Sequence, residues 1–240
     1  MKYFVIVPTY NEKENIENLI KSIKGVFEKG GINGGVIVVD DNSPDKTYEI
    51  VKNLQDSIAT SNFELHLIHR EGKLGLGSAY IAGFKKALSL GADFIQEMDA
   101  DFSHKPEYLL DFYRELQKND VVIGSRYVNG GGVENWSPIR KFISRGGSIY
   151  AGLILGWKIN DSTAGFVGYK RKVLETIPLD EVKSNGYVFQ IEMKYRAYKS
   201  GFEIKEIPII FPDRVLGKSK MSGKIVYEAI YKVLNLRSKI

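Results

Sequence analysis

Apolar and polar positions alternate along the first hundred residues in two different rhythms. Tyr3–Val7 is a short aromatic and β-branched run, followed by a polar stretch in which Ile16, Leu19, Ile20, Ile23 and Phe27 recur at helical spacing. Val36–Val39 repeats the first pattern, and Tyr48, Val51, Leu54 and Ile58 repeat the second. Leu65–Ile68 predicts a third strand, Ala79–Leu90 a third helix ended by Gly91, and Phe94–Met98 a fourth strand. Short continuous apolar runs suit strands buried on both faces, whereas three-to-four spacing suits amphipathic helices. Their alternation predicts right-handed βαβ units in a doubly wound, mostly parallel α/β sheet. Ligands of such sheets bind beyond the carboxyl ends of the strands, so the polar residues after each run carry the most information.

Beyond residue 120 the rhythm changes. Val121–Gly124 predicts another strand, Gly130-Gly131-Gly132 a turn, and Pro138–Leu155 a basic, apolar helix. Ala164–Tyr169 and Glu203–Ile209 predict later strands, and Gly217–Ile240 mixes Lys with large apolar residues. There is no internal repeat and no low-complexity linker, so one domain over 1–240 is expected.

Composition narrows the class. A hydrophobic fraction of 43% with 26% charged residues is that of a soluble globular chain and argues against disorder. The absence of Cys excludes a disulfide framework, a thiolate zinc site and a cysteine nucleophile. His66, His69 and His104 form no H-E-x-x-H pattern. The longest apolar run, Ile149–Trp157, has nine residues, against about 20 for a spanning helix. A chain in the cytosol, or attached to a membrane from that side, is therefore expected. The net charge of +5 conceals an acidic and a basic half. Residues 1–120 carry 14 Lys and Arg against 19 Asp and Glu, and residues 121–240 carry 20 against 10.

The acidity gathers after the predicted strands. Pro8-Thr9-Tyr10-Asn11-Glu12 follows the first, Asp40–Asp45 the second, and Asp99-Ala100-Asp101 the fourth. In an extended segment residues i and i+2 point to one side, so Asp99 and Asp101 repel unless a cation sits with them. Hard carboxylate oxygens suit Mg²⁺ or Mn²⁺, which complete their shells with water and substrate phosphates. A glycosidase acid–base pair would instead straddle a scissile bond and come from separate segments, so chelation is the better reading. Nucleotide fingerprints fail in detail. Gly217-Lys218-Ser219 has Pro212 where a P-loop needs Gly, and Gly72–Gly77 has Tyr80 where a third Gly belongs. Arg126 follows a strand end, Arg140 opens the basic helix, and Arg214, Lys218 and Lys220 cluster at a late turn. The planar fork of Arg matches phosphate oxygens, and Lys adds a point charge.

Stretches along nearly the whole chain resemble the dolichol-phosphate mannose synthases, family 2 glycosyltransferases with the GT-A fold. They are PTYNEKEN (8–15), VDDNSPDKT (39–47), REGKLGLGSAY (70–80), EMDADFSHKPE (97–107), VVIGSRYV (121–128), NW (135–136), DSTAGF (161–166), GYVFQIEM (186–193) and FPDRVLGKSKM (211–221). The resemblance implies transfer of mannose from GDP-mannose to dolichyl or polyprenyl phosphate with inversion. It implies that Pro8, Tyr10, Glu12, Val39 and Asp41 hold the guanosine part. Ala100 and Asp101 would meet the diphosphate and metal, with Asp99 as the other metal-side carboxylate. Some members carry a Gln metal ligand where this chain has Ser103, so Ser103 joins the metal set with more water in the shell. Arg126 would face the reacting phosphates beside Asp101, Arg140 would join it at the acceptor phosphate, and Arg214 and Lys220 would close over the diphosphate. Residues 1–120 would then bind nucleotide and metal, 121–220 the acceptor, and 221–240 would form an amphipathic helix.

Many prokaryotic members append transmembrane helices after the region matching Met221. This chain resembles the short class, held peripherally on the cytoplasmic side of the plasma membrane in a prokaryote or of the endoplasmic reticulum in a eukaryote, with small membrane-anchoring subunits as further partners. In 138–157, Ile139, Phe142, Ile143, Ile149, Leu153 and Ile154 lie among Arg140, Lys141 and Arg145, a pattern suited to a headgroup plane. The C-terminal stretch repeats this with Ile225, Val226, Ile230, Val233, Leu234 and Leu236, where a core-packed face fits equally well. A glucosyl or other sugar specificity is the near alternative, and a non-catalytic anion-binding module the distant one. No nucleic-acid partner is expected.

Overall fold

The computed structural model describes residues 1–212, 231–238 and 240. The predicted rhythm folds into β1 (Lys2–Thr9), α1 (Ile16–Gly30), β2 (Asn33–Asp40), α2 (Thr47–Ile58), β3 (Phe63–His69), α3 (Leu76–Ser89) and β4 (Phe94–Glu97). There follow α4 (Leu109–Leu116), β5 (Val121–Ser125), β6 (Gly132–Val133), α5 (Pro138–Leu155), β7 (Val167–Lys170), α6 (Arg171–Thr176), α7 (Gly186–Lys199), β8 (Ile204–Pro208) and β9 (Ile210–Phe211). A seven-stranded sheet runs in the order β3-β2-β1-β4-β7-β5-β8. β7 lies antiparallel between β4 and β5, and the other pairings are parallel. β6 and β9 form a separate two-stranded ribbon.

Strand alternation explains the two layers. Tyr3, Val5 and Val7 pack with Ile16, Leu19, Ile20, Ile23 and Phe27 of α1 on one face. Phe4 and Ile6 pack with Ala79, Tyr80 and Phe84 of α3 and with Phe189 and Met193 of α7 on the other. Both faces of β1 are thus buried, which is why its sequence reads as an unbroken apolar run. α3 sits so close that a Cβ on Gly83 would lie 2.2 Å from Ile6 Cγ2.

α5 occupies the predicted span because both ends are marked. Ser137 Oγ accepts from the Arg140 N–H at 3.3 Å, Pro138 opens the first turn, and Gly156 closes the helix at φ 71°. Ser148, Ala151 and Leu155 face inward, while Ile139, Phe142, Ile149 and Leu153 face solvent. Residues 231–238 are helical and bury Val233 and Leu236 against α5 and α7, so this end is at least partly core-packed. Ile225, Val226 and Ile230 lie outside the described residues. No helix among the described residues is long and apolar enough to cross a membrane.

α7 and β7 depart from the sequence pattern for physical reasons. α7 buries Gln190, Glu192 and Lys194 together with Val188, Ile191 and Met193, which erases any apolar periodicity. β7 begins three residues later than Ala164, because the segment before it is a loop held by side chains rather than by a ladder.

Candidate active site

The carboxyl ends of β1, β2, β3 and β4 carry four loops along one rim. Among the described residues five non-glycine residues have positive φ, and Asn11, Asn42, Lys46 and Phe102 of these five lie on that rim. Strained backbone that persists at one edge marks loops held for a purpose beyond packing.

The first two loops are bound to each other. The Asn11 N–H donates to Ser43 Oγ, and the Glu12 N–H to Thr47 Oγ1, both at 3.0 Å. Glu12 also accepts from Asn15 Nδ2 at 2.9 Å. Lys73 Nζ stands 3.9 Å from the centre of the Tyr10 ring. Asp40 and Asp41 are adjacent in sequence but differ in role. Asp40 is fully buried and accepts from Thr9 Oγ1 at 2.8 Å and from Ser43 Oγ and N–H at 2.6 and 2.9 Å, which pins the loop. Asp41 accepts from Arg70 Nε at 2.5 Å and from the N–H groups of Leu74 and Gly75 at 3.1 Å. Arg70 thereby fastens the second loop to the turn before α3. The Val39 side chain is buried in the core, so its main chain is what it offers the rim.

The loop after β4 holds the paired carboxylates. Ser103 donates to Asp101 Oδ1 from its hydroxyl at 2.6 Å and its N–H at 3.1 Å, with Phe102 at φ 60° making the turn. Ser103 thus orients the Asp101 carboxylate. Asp99 accepts from the Tyr80 hydroxyl at 3.4 Å, and its N–H donates to His104 Nδ1 at 2.9 Å. The His104 ring is stacked on Phe166 with centroids 4.6 Å apart, so Asp99 is located by the core itself. Asp99, Asp101 and Ser103 present only hard oxygen donors, a set that fits Mg²⁺ or Mn²⁺ and no softer metal. Among the described residues no group of three or more His, Asp or Glu side chains could enclose an ion, so water and substrate oxygens would have to complete the shell.

Beneath this turn Glu97 is fully buried and accepts from Gln190 Nε2 at 2.5 Å. Burial pushes its pKa up to about 8, against the opposing effects of the Gln190 hydrogen bond and the Lys194 charge.

Arg126 follows β5 on the same rim, since β5 runs parallel to β4 across β7. It is buried, and its Nε and one terminal nitrogen donate to the two oxygens of Asp161 at 2.7 and 2.6 Å. The Arg126 N–H also donates to Asp161, at 3.0 Å, and a terminal nitrogen reaches Thr163 Oγ1 at 2.9 Å. Burial alone would lower the guanidinium pKa, but the Asp161 carboxylate holds it above its ordinary value. Burial likewise favours neutral Asp161, and Arg126 outweighs it, so the pair is ionised. The Arg140 guanidinium lies 3.8 Å from the centre of the Trp136 ring, whose other neighbours include Arg126 at 5.4 Å. Arg126 and Arg140 therefore share one aromatic wall at the start of α5. Arg214 and Lys220 lie outside the described residues.

Asp161, Arg70, His104 and the buried Glu97, Gln190 and Lys194 went unassigned in the sequence. Most sit in stretches that carry the resemblance, DSTAGF, REGKLGLGSAY, EMDADFSHKPE and GYVFQIEM, but only the fold shows what each touches.

The model of glycosyl transferase family 2 matches residues 4–178, and the chain belongs to this family. It is a glycosyltransferase of the GT-A fold. The chain is 43% identical over 233 residues to an undecaprenyl-phosphate mannosyltransferase of Micrococcus luteus, covering 97% of this chain and 93% of the relative. It is 44% identical over 231 residues to a polyprenol monophosphomannose synthase of Mycolicibacterium smegmatis, covering 95% and 84%. Among solved structures, glucosyl-3-phosphoglycerate synthase of Mycobacterium tuberculosis, in complex with Mn²⁺, uridine diphosphate and glucosyl-3-phosphoglycerate, superposes with a TM-score of 0.67 at 17% identity, covering 98% of this chain and 78% of that one.

Proposed function

We propose that this chain transfers mannose from GDP-mannose to a polyprenyl phosphate such as dolichyl phosphate, inverting the anomeric centre. The observation that carries this reading is the placement of the Asp99–Asp101 turn and of Arg126 on one rim, at the ends of parallel strands separated only by β7. The names of the two relatives support the mannosyl group and the prenyl phosphate. Pro8, Tyr10, Glu12, Val39 and Asp41 line the nucleotide end of the rim and hold the guanosine, with Ala100 beside the diphosphate. Asp41 acts there through the turn it fastens. Asp99 and Asp101 hold Mg²⁺ or Mn²⁺, with Ser103 aligning Asp101. The ion, when bound, supplies Lewis-acid stabilisation of the departing diphosphate.

An acceptor phosphate is largely dianionic at neutral pH, its second pKa being about 6, so it is already a nucleophile and needs no protein base. The task of the chain is to bring two anions together and to exclude water. Arg126, fixed by Asp161, and Arg140, stacked on Trp136, offset the repulsion at the acceptor phosphate as preorganised charge. Arg214 and Lys220 are assigned to the donor diphosphate. The exposed apolar face of α5, beside Arg140, Lys141 and Arg145, lies in the headgroup plane of an anionic membrane on its cytoplasmic side, which brings the lipid acceptor to the arginines. Small membrane subunits are compatible with this attachment.

A donor panel tests the reading. GDP-mannose, UDP-glucose and other nucleotide sugars are offered with a short polyprenyl phosphate and Mg²⁺ or Mn²⁺. Transfer from GDP-mannose alone is expected. Preferred transfer from UDP-glucose would reassign the sugar, and no transfer from any donor would refute the enzyme.

A further inference from the structure

α7 carries the stretch GYVFQIEM and continues into Lys194, a lysine that sits fully buried in the core. Burying a lysine costs several kcal/mol unless it is paired and hydrogen-bonded, so its surroundings explain its presence. Lys194 Nζ donates to the Ala164 carbonyl at 2.6 Å. Burial lowers its pKa to about 8, against the pull of Glu97 when that carboxyl is ionised and of Asp161, while Arg126 repels its charge. One turn earlier on the same face, Gln190 donates to Glu97 at the end of β4. A Cβ on Gly165 would lie 3.6 Å from the His104 ring and 3.8 Å from Gln190 Nε2, so the loop before β7 passes within contact distance of both α7 and the support of Asp99.

The loop from Asp161 to Gly165 is therefore gripped from two sides. Arg126 holds Asp161 from the rim, through three hydrogen bonds. Glu206 accepts from the Asn160 and Asp161 N–H groups, each at 2.9 Å, which fixes the start of the loop. Lys194 holds its far end from beneath. A methionine of similar volume would avoid the cost of burying a charge but would leave the Ala164 carbonyl without this donor. What the Lys194 ammonium adds is a fixed Ala164 carbonyl and a second positive charge near Asp161, whose ionisation is held mainly by Arg126.

We infer that Lys194 is a positioning residue for the acceptor end of the reaction, holding the 161–164 loop so that Asp161 presents Arg126 to the acceptor phosphate. The inference rests on the proposed acceptor role of Arg126. Lys194 does not touch substrate. Its loss should weaken the acceptor phosphate site and leave the nucleotide end of the rim, which is built from β1, β2 and β4, largely intact.

The test uses the full chain with Lys194→Gln and Lys194→Met. Gln keeps a donor for the Ala164 carbonyl without the charge, and Met removes both. Binding of GDP with Mn²⁺ and of a short-chain polyprenyl phosphate is measured by calorimetry, alongside initial rates and melting temperature. Expected for K194Q is GDP affinity within about twofold of wild type and acceptor-phosphate affinity reduced by about tenfold or more, with a matching fall in kcat/KM for the acceptor. K194M should fall further, and if it does not fold, K194Q decides. Equal loss of GDP and acceptor binding, tracking the melting temperature, would overturn the inference, as would no loss at all. A wild type that binds polyprenyl phosphate but transfers no sugar would sink the proposed reaction while leaving the Lys194 comparison readable in the binding data.

Discussion

The apolar face of α5 offers the most direct test of how this enzyme meets a lipid substrate. Ile139, Phe142 and Leu153 expose 73%, 79% and 77% of their surface, so replacing all three by Ser alters no core contact. Full burial of one such side chain is worth about 1.5–3 kcal/mol. Three of them, immersed only to the boundary between headgroups and acyl chains, should together contribute roughly 4 kcal/mol. At about 1.4 kcal/mol per factor of ten, partition onto vesicles should fall on the order of a thousandfold. The assay is sedimentation with anionic vesicles over a range of lipid concentrations, with initial rates on a short, water-soluble polyprenyl phosphate measured in parallel. Vesicle binding should collapse while melting temperature and the rate on the short acceptor hold. Undiminished vesicle partition in the triple variant would refute the assignment of this face.

Three further outcomes follow from the site. Asp101→Ala should lower transfer by roughly a thousandfold or more and abolish metal-dependent GDP binding, with the protein still folded, because it removes a ligand of the Lewis acid; full activity would remove Asp101 from the metal site. Arg140→Ala should raise the apparent KM for polyprenyl phosphate by roughly 10- to 100-fold, the worth of a charged hydrogen bond, and change that for nucleotide sugar much less; the reverse order would count against its acceptor role. Glu97→Gln should stabilise the metal-free protein progressively as pH rises from 5 to 8.5, read as a growing difference in melting temperature. The sign follows from burial: the folded-state pKa of about 8 lies above the ordinary 4.5, so wild type keeps its proton on folding while the unfolded chain loses it, and stability falls as pH climbs through that window. Lys194, lowered to about 8, is protonated in both states through most of this range and cannot mimic the trend. A pH-independent difference would show that Glu97 is ionised when folded.

Most of the scaffold was legible because its signals are local. The spacing Ile16, Leu19, Ile20, Ile23, Phe27 marks the buried side of α1, and Ser137, Pro138 and Gly156 mark the ends of α5 without reference to any other segment. α7 was not legible as an element, since Gln190 and Lys194 are polar residues facing inward, and a periodicity argument reads such residues as exposed. Candidate chemistry was legible as residue types at strand ends, Asp99 with Asp101 and Arg126 after β5, but not as roles. Asp40 and Asp41 are one residue type side by side, and only the fold shows that the first pins its own loop while the second binds Arg70 and the turn before α3.

The sequence by itself determined the α/β alternation, the acidic rim, the basic apolar helix and the family to which the chain belongs, because each is carried by neighbours along the chain. The tertiary structure alone decided that Arg126 is paired with Asp161, that Asp99 is braced by His104 and Tyr80, and that α7 places Gln190 and Lys194 under the site. Except for Asp99 and His104, which are five positions apart, these contacts join residues distant in the chain, and those of Arg126 and Lys194 lie where β7 is inserted between β4 and β5. Which polar groups meet there is settled by the requirement that each buried charge find a partner, and only the assembled fold states what partners are within reach.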